Sequence, residues 1–131
     1  MLFTRECDYA IRVLRCLSDG SLKQVSRICI VEDIPRQYCY KIMIKLEMAE
    51  FVESKRGRDG GYRLIKPPES FTLFDVIKAV DDKFSIMHCI KSHSPCTMNH
   101  EERPCTVHKE LKRIQNVLEK ELSKVSFKNL V

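Results

Sequence analysis

No stretch of this chain approaches the roughly 18 consecutive apolar residues that a membrane-spanning helix needs. Its opening, MLFTRECDYAIRVL, carries charges inside its apolar part and does not read as a secretory signal. A cytoplasmic location away from membranes is therefore expected. There is no internal repeat, no low-complexity tract and no break that marks a second domain. A glycine-rich loop of the phosphate-binding kind is missing, and so is a nucleophile paired with a general base, so an enzyme is not expected. What remains is a chain of 131 residues, 44% hydrophobic and 31% charged, which fits one compact soluble domain with an appended helix. Cysteine is plentiful by contrast. Its 7 copies are an odd number, and their spacing is not that of a secreted disulfide scaffold. In a reducing compartment, clustered thiols bind metal or do redox chemistry.

The cysteines concentrate in one segment, CIKSHSPCTMNHEERPCTVH, which spaces its donors as Cys89-x6-Cys96-x8-Cys105-x2-His108. Ser94, Pro95, Asn99 and Pro104 make it a loop rather than a regular element. Soft ligands at this density suit a metal or an iron–sulfur cluster. The spacing matches neither a standard zinc finger nor a ferredoxin run. Three readings therefore stay open on the residues alone. One is an iron–sulfur site. Another is a zinc site completed by His88, His93, His100 or His108, and the third is a thiol/disulfide switch. Cys7, Cys16, Cys29 and Cys39 fall near apolar helix faces and read as core packing.

Ahead of that segment the periodicity predicts short helices. Thr4 can cap a first helix over 4–18, with Cys7, Ala10, Leu14 and Leu17 on one face. Ser21-Leu-Lys-Gln24 fits a capping box that opens a second, with Val25, Ile28 and Cys29 inward. Pro35 suits the first turn of a third helix that buries Tyr38 or Cys39, Ile42, Met43 and Leu46. The period then changes. Residues 51–55 and 62–65 are short strands joined by RGRDGG, a β-hairpin. Thr72 and Asp75 form a second capping box, opening a helix to about Val80 with Phe74, Ile77 and Val80 inward. The last element, 106–126, is a long helix carrying a narrow stripe of Val107, Leu111, Ile114, Leu118, Leu122 and Val125, close to a coiled-coil seam. We read that seam as a dimer contact.

The expected fold is mainly α with a small β-hairpin wing. It comprises a winged helix-turn-helix over 1–83, a cysteine-rich cluster loop over 84–106, and a dimerisation helix and tail over 107–131. Net charge is +5, and residues 35–66 hold +4 of it, from eight Lys/Arg against four Asp/Glu. Such a focus can be the footprint of a nucleic acid. The third helix would lie in the major groove, with Gln37, Tyr40 and Lys41 reaching base edges and phosphates. Arg56 or Arg58 at the wing tip would enter a narrow minor groove. The glycines at 57, 60 and 61 permit a tight turn and close backbone approach. A dimer would present two such helices to a palindromic site.

These stretches resemble the Rrf-two family of bacterial winged-helix regulators, and within it the IscR- and NsrR-like branch that binds clusters. The matching motifs are DYAIRVL (8–14), IPRQYCYKI (34–42), the wing SKRGRDGGYRL (54–64), VDD (80–82) and the three cysteines before the long helix. The resemblance covers nearly the whole chain. It implies a homodimeric transcription regulator, usually a repressor, that binds a palindromic operator in double-stranded DNA. Its affinity would be switched by a 2Fe–2S or 4Fe–4S cluster that senses iron, nitric oxide, oxygen or redox state. By position, Cys89, Cys96 and Cys105 would be ligands, and Arg56 the wing arginine. His108, in C-x-x-H spacing, or Asp8, supplied across the dimer, would be the fourth ligand, with His108 favoured. The intervals of six and eight residues between cysteines are wider than in IscR-like members, which leaves the cluster type open. A small iron–sulfur electron carrier would explain the thiols but not the basic wing.

Overall fold

The computed structural model describes residues 2–91 and 96–131. In order come α1 (Arg5–Cys16), α2 (Val25–Glu32), α3 (Arg36–Met48), β1 (Val52–Lys55), β2 (Gly61–Leu64), α4 (Leu73–Val80) and α5 (Thr106–Leu122). Short 3-10 turns lie at Pro68–Ser70, His88–Ile90 and Phe127–Leu130. This is the winged-helix order that the sequence predicts, three helices followed by a hairpin. No helix among the described residues is long and apolar enough to cross a membrane.

Thr4 caps α1 by accepting the Cys7 N–H at 3.4 Å. The helix then buries Cys7, Ala10, Val13 and Leu14 against α3 and α4. The start of α2 departs from expectation. Ser21 bonds back to Asp19 through its N–H and hydroxyl instead of capping, and Gln24 is an N-cap whose side chain does not bond to the helix's first N–H groups. The cause is tertiary. Residue 23 is extended and pairs with the wing, Lys23 N–H to the Tyr62 carbonyl at 2.9 Å and Tyr62 N–H to the Lys23 carbonyl at 2.8 Å. An extended residue 23 cannot sit in a helical first turn. Beyond Pro35, α3 buries Cys39, Ile42, Met43 and Leu46. The hairpin register pairs Val52 with Leu64 and Lys55 with Gly61.

The capping box at α4 is present, with Thr72 and Asp75 each bonding the other's backbone. Val76, Ile77 and Val80 are its buried residues, and Phe74 packs half-buried against the same core. The long helix also stops earlier than expected, at Leu122. The chain then turns so that Ser126 bridges Thr72, and Phe127 enters the core, 5.0 Å from the Phe71 ring. Phe51 closes that cluster edge-on to Phe71 at 4.9 Å. Continuing α5 to residue 126 would give up this aromatic packing. Of the seam, Leu118 and Leu122 pack on the domain's own core. Val107 (63%), Ile114 (41%) and Val117 (46%) are exposed.

Candidate functional site

The face made by α3 and the wing carries the basic residues outward. Gln37, Tyr40 and Lys41 are exposed on α3, and the Arg36 guanidinium lies 5.9 Å from the Tyr40 ring centre. Arg56 and Arg58 are exposed in the turn between β1 and β2. Two devices position that turn. Gln24 Nε2 donates to the Arg58 carbonyl at 3.2 Å, tying the tip to the start of α2. A Cβ on Gly60 would lie 2.1 Å from the Lys55 carbonyl oxygen, and one on Gly61 2.3 Å from that of Lys23. Only glycine fits so close a backbone contact. The sequence reading missed Gln24 and Lys23, whose partners lie far along the chain.

One sequence-predicted residue is already engaged. Lys41 Nζ donates to Glu6 Oε1 at 2.5 Å, and Lys45 Nζ donates to Glu6 Oε2 at 2.5 Å and to the Val80 carbonyl at 2.6 Å. The hydrogen bonds from Lys41, then Lys45, hold the Glu6 carboxyl below its ordinary range, and Glu6 in turn raises Lys41. Nothing local in the sequence signals Glu6, because its partners are on a different helix.

All seven cysteines are free thiols, and Cys89, Cys96 and Cys105 are half-buried. Cys89 sits in the turn His88–Ile90, and Cys96 follows directly on residues 92–95. Cys105 is the N-cap of α5, its Sγ accepting the His108 N–H at 3.4 Å while its own N–H donates to Asn99 Oδ1 at 2.9 Å. His108 is half-buried, and its Nδ1 is buried without a hydrogen-bond partner among the described residues. A buried ring nitrogen costs free energy unless something pairs with it, so His108 fits a ligand role.

Within the one chain these donors do not converge. Among the described residues no three His, Cys, Asp or Glu side chains meet as a metal cage. His88 and His100 are exposed, and His93, Ser94 and Pro95 lie outside the described residues. Asp8 is exposed on α1 and paired with Arg12 at 3.0 Å, which raises the arginine. Arg12 also donates to the Glu32 carbonyl at 3.2 Å, linking Asp8 to the end of α2. Gln115 is a second residue the sequence reading passed over. Buried on α5, it accepts the Ile86 N–H at 2.8 Å and so fixes the start of the cysteine segment to the helix. Its position four after Leu111 and three before Leu118 puts it on the apolar stripe, the signal that could have found it.

The other cysteines belong to the packing of the helix-turn-helix. Cys7 and Cys39 are core residues, with Cys16 and Cys29 packed against that core. Burial pushes the Cys39 thiol up to about 12, with neighbouring Cys29 adding to the rise. Burial likewise raises Cys16. Such thiols stay protonated and unreactive.

The chain is similar to known proteins in sequence and in fold. Residues 3–131 match the family model described as Rrf2, iron-dependent transcriptional regulator. The chain is similar to protein aau3 of Rhizobium meliloti, 35% identical over 70% of this chain and 61% of that protein. It is 33% identical to the HTH-type transcriptional regulator NsrR of Bacillus licheniformis, over 76% of this chain and 77% of that one. Among solved structures, CymR, described as the global cysteine regulator of B. subtilis, superposes with a TM-score of 0.77. It covers 98% of this chain and 94% of CymR at 18% identity, a likeness of fold.

Proposed function

This chain belongs to the Rrf2 family of transcriptional regulators, and we propose that it is a homodimeric DNA-binding repressor switched by an iron–sulfur cluster. The observation that carries the reading is His108. Its Nδ1 is buried and has no hydrogen-bond partner among the described residues, one turn into α5 and next to Cys105, in a chain whose α3 and wing expose a basic face. The family's description as iron-dependent supports the same reading.

The proposal divides the chain by role. Residues 1–83 bind operator DNA, 84–106 hold the cluster, and 107–131 form the dimer contact and tail. Gln37 and Tyr40 read base edges, Lys41 meets phosphate, and Arg56 and Arg58 take the minor groove. Cys89, Cys96 and Cys105 ligate, with His108 as fourth donor and Asp8 of the other protomer as its rival. When bound, the cluster supplies redox and ligand-exchange chemistry through which iron, nitric oxide, oxygen or redox state is sensed. The protein's part is transmission. The cysteine segment is tied to α5 through Gln115 and through the N-cap of Cys105. A change there tilts α5, and with it the spacing of two winged helices across the exposed Val107–Ile114–Val117 stripe. Were Asp8 recruited, Arg12 would be freed, and its bond to the Glu32 carbonyl gives α2 a share in the change.

A second reading is a thiol/disulfide or zinc switch in the same segment. Three free, half-buried thiols and the likeness of fold to a cysteine regulator favour it over an electron carrier. The deciding experiment is the visible spectrum of protein purified without oxygen, with iron and acid-labile sulfide assayed on the same sample. A brown protein holding both is expected, and iron per monomer separates two-iron from four-iron forms. His108→Ala should then lose or shift the visible bands while Asp8→Ala keeps them. A colourless protein with zinc, or with a reversible disulfide and no metal, sinks the cluster reading and leaves the regulator.

A further inference from the structure

Lys41 faces two claims. On the reading above it meets a DNA phosphate, yet in the free chain its ammonium already sits on the Glu6 carboxylate. The two lysines that share this carboxylate are not equivalent. Lys45 is 34% exposed and anchored a second time at the Val80 carbonyl, whereas Lys41 is 57% exposed and has Glu6 as its ion-pair partner. Glu6 itself is 22% exposed. A carboxylate and a phosphodiester offer the same thing to an ammonium, a negative charge with strong acceptor oxygens. The asymmetry settles which bond can exchange. Lys41 can turn to solvent or to a phosphate while Lys45 continues to neutralise Glu6, so the exchange strands no charge.

We propose that Glu6 is a positioning residue for DNA recognition, an internal stand-in for phosphate that holds Lys41 on the free recognition helix and yields it on binding. The inference rests on the DNA-binding reading above and goes beyond it. It gives α1 a direct hand on the recognition helix, because Glu6 lies in the first turn of α1 and Lys41 and Lys45 are on α3. It also makes a quantitative statement. Because Lys41 must give up Glu6 before it reaches a phosphate, Glu6 lowers affinity, while the same phosphate is neutralised with or without Glu6, so the dependence on salt keeps its slope.

The test uses the full-length protein, purified without oxygen, and a duplex carrying the promoter of its own gene. Fluorescence anisotropy gives affinity across a salt series for wild type, Glu6→Gln, Lys41→Gln and the double variant. Glu6→Gln should bind about two- to five-fold tighter, the worth of one partly exposed ion pair, with its slope of log K against log salt unchanged, whereas Lys41→Gln should flatten that slope by about 0.9. In the Lys41→Gln background the same change should bring no gain. Should Glu6→Gln not fold, as judged by thermal melting, Lys45→Met reads the same device from the other side. Glu6 then has Lys41 alone to hold, so binding should weaken, although Lys45 itself need not touch DNA. An indifferent or weaker Glu6→Gln overturns the proposal, as does a gain that persists without Lys41 or a Lys45→Met that binds as wild type. A wild-type protein that binds no duplex sinks the DNA-binding reading and this inference together, an outcome distinct from wild-type binding with an indifferent Glu6→Gln.

Discussion

A methyl group on Gly61 would sit 2.3 Å from the Lys23 carbonyl oxygen, which is backbone and cannot move aside cheaply. Gly61→Ala must therefore part the wing from residue 23 or distort both. We expect a loss of about 1–3 kcal/mol, as for other overpacked sites, read by urea unfolding, together with weaker DNA binding as Arg56 and Arg58 lose their fixed position. Asp19 offers a pH prediction at the same scale. Bonds from Lys23 and then from Ser21 hold its carboxyl down at about 2. A depressed folded-state value means stability that is fully present above the ordinary carboxylate value, near 4, and lost as pH falls through about 2. The side chain is 59% exposed, so the contribution is small, below about 1 kcal/mol. Asp19→Asn should cost that much at neutral pH, and the two proteins should converge in acid, as urea melts across the pH series would show. Equal stability at neutral pH would count against it.

At the scale of elements, α4 is held by a local device and α5 by distant ones. Thr72 and Asp75 close their capping box within four residues. Thr72→Ala should therefore cost about 1 kcal/mol, read by urea unfolding, while the backbone bridge to Ser126 is kept. The box was legible because both partners and their spacing lie in one stretch of sequence. The Ser21–Gln24 pattern has the same spacing and fails, because the wing takes residue 23 for strand pairing. On α5 the described residues bury Gln115 and no apolar side chain fully, while Ile114 and Val117 face outward. On the proposed dimer reading, wild type should sediment as a dimer and Ile114→Glu as a folded monomer. A variant that stays dimeric would move the interface elsewhere.

At the scale of the whole molecule, the tail is part of the core. Phe127 is 1% exposed and stacks on Phe71, which meets Phe51. That cluster joins the segment after α5 to the start of β1 and the approach to α4. Phe127→Ala should cost about 3–5 kcal/mol and lower Tm well beyond any surface substitution. Such a loss would reach DNA binding as well, because the same core holds α3 in place through Ile42, Met43 and Leu46. A tail variant with an unchanged melting point would show that the aromatic cluster forms without it.

The order of elements, the wing and its glycines, the cap of α4 and the family itself could be read in the sequence alone. Each rests on periodicity or on residues near one another along the chain. Position was decided by tertiary structure. Residue 23 pairs with Tyr62, the long helix ends early so that Phe127 can pack, and Lys41 is held by Glu6. In each case the partner lies far away in sequence and comes near only when the helices pack. The donor residues of the cysteine segment stand between these two cases. Their identity and spacing are written in the chain, but a single folded protomer does not bring three of them together among its described residues. On the proposed cluster reading, the free energy of binding the group would draw them together, as metal binding does in other proteins where it orders its own site.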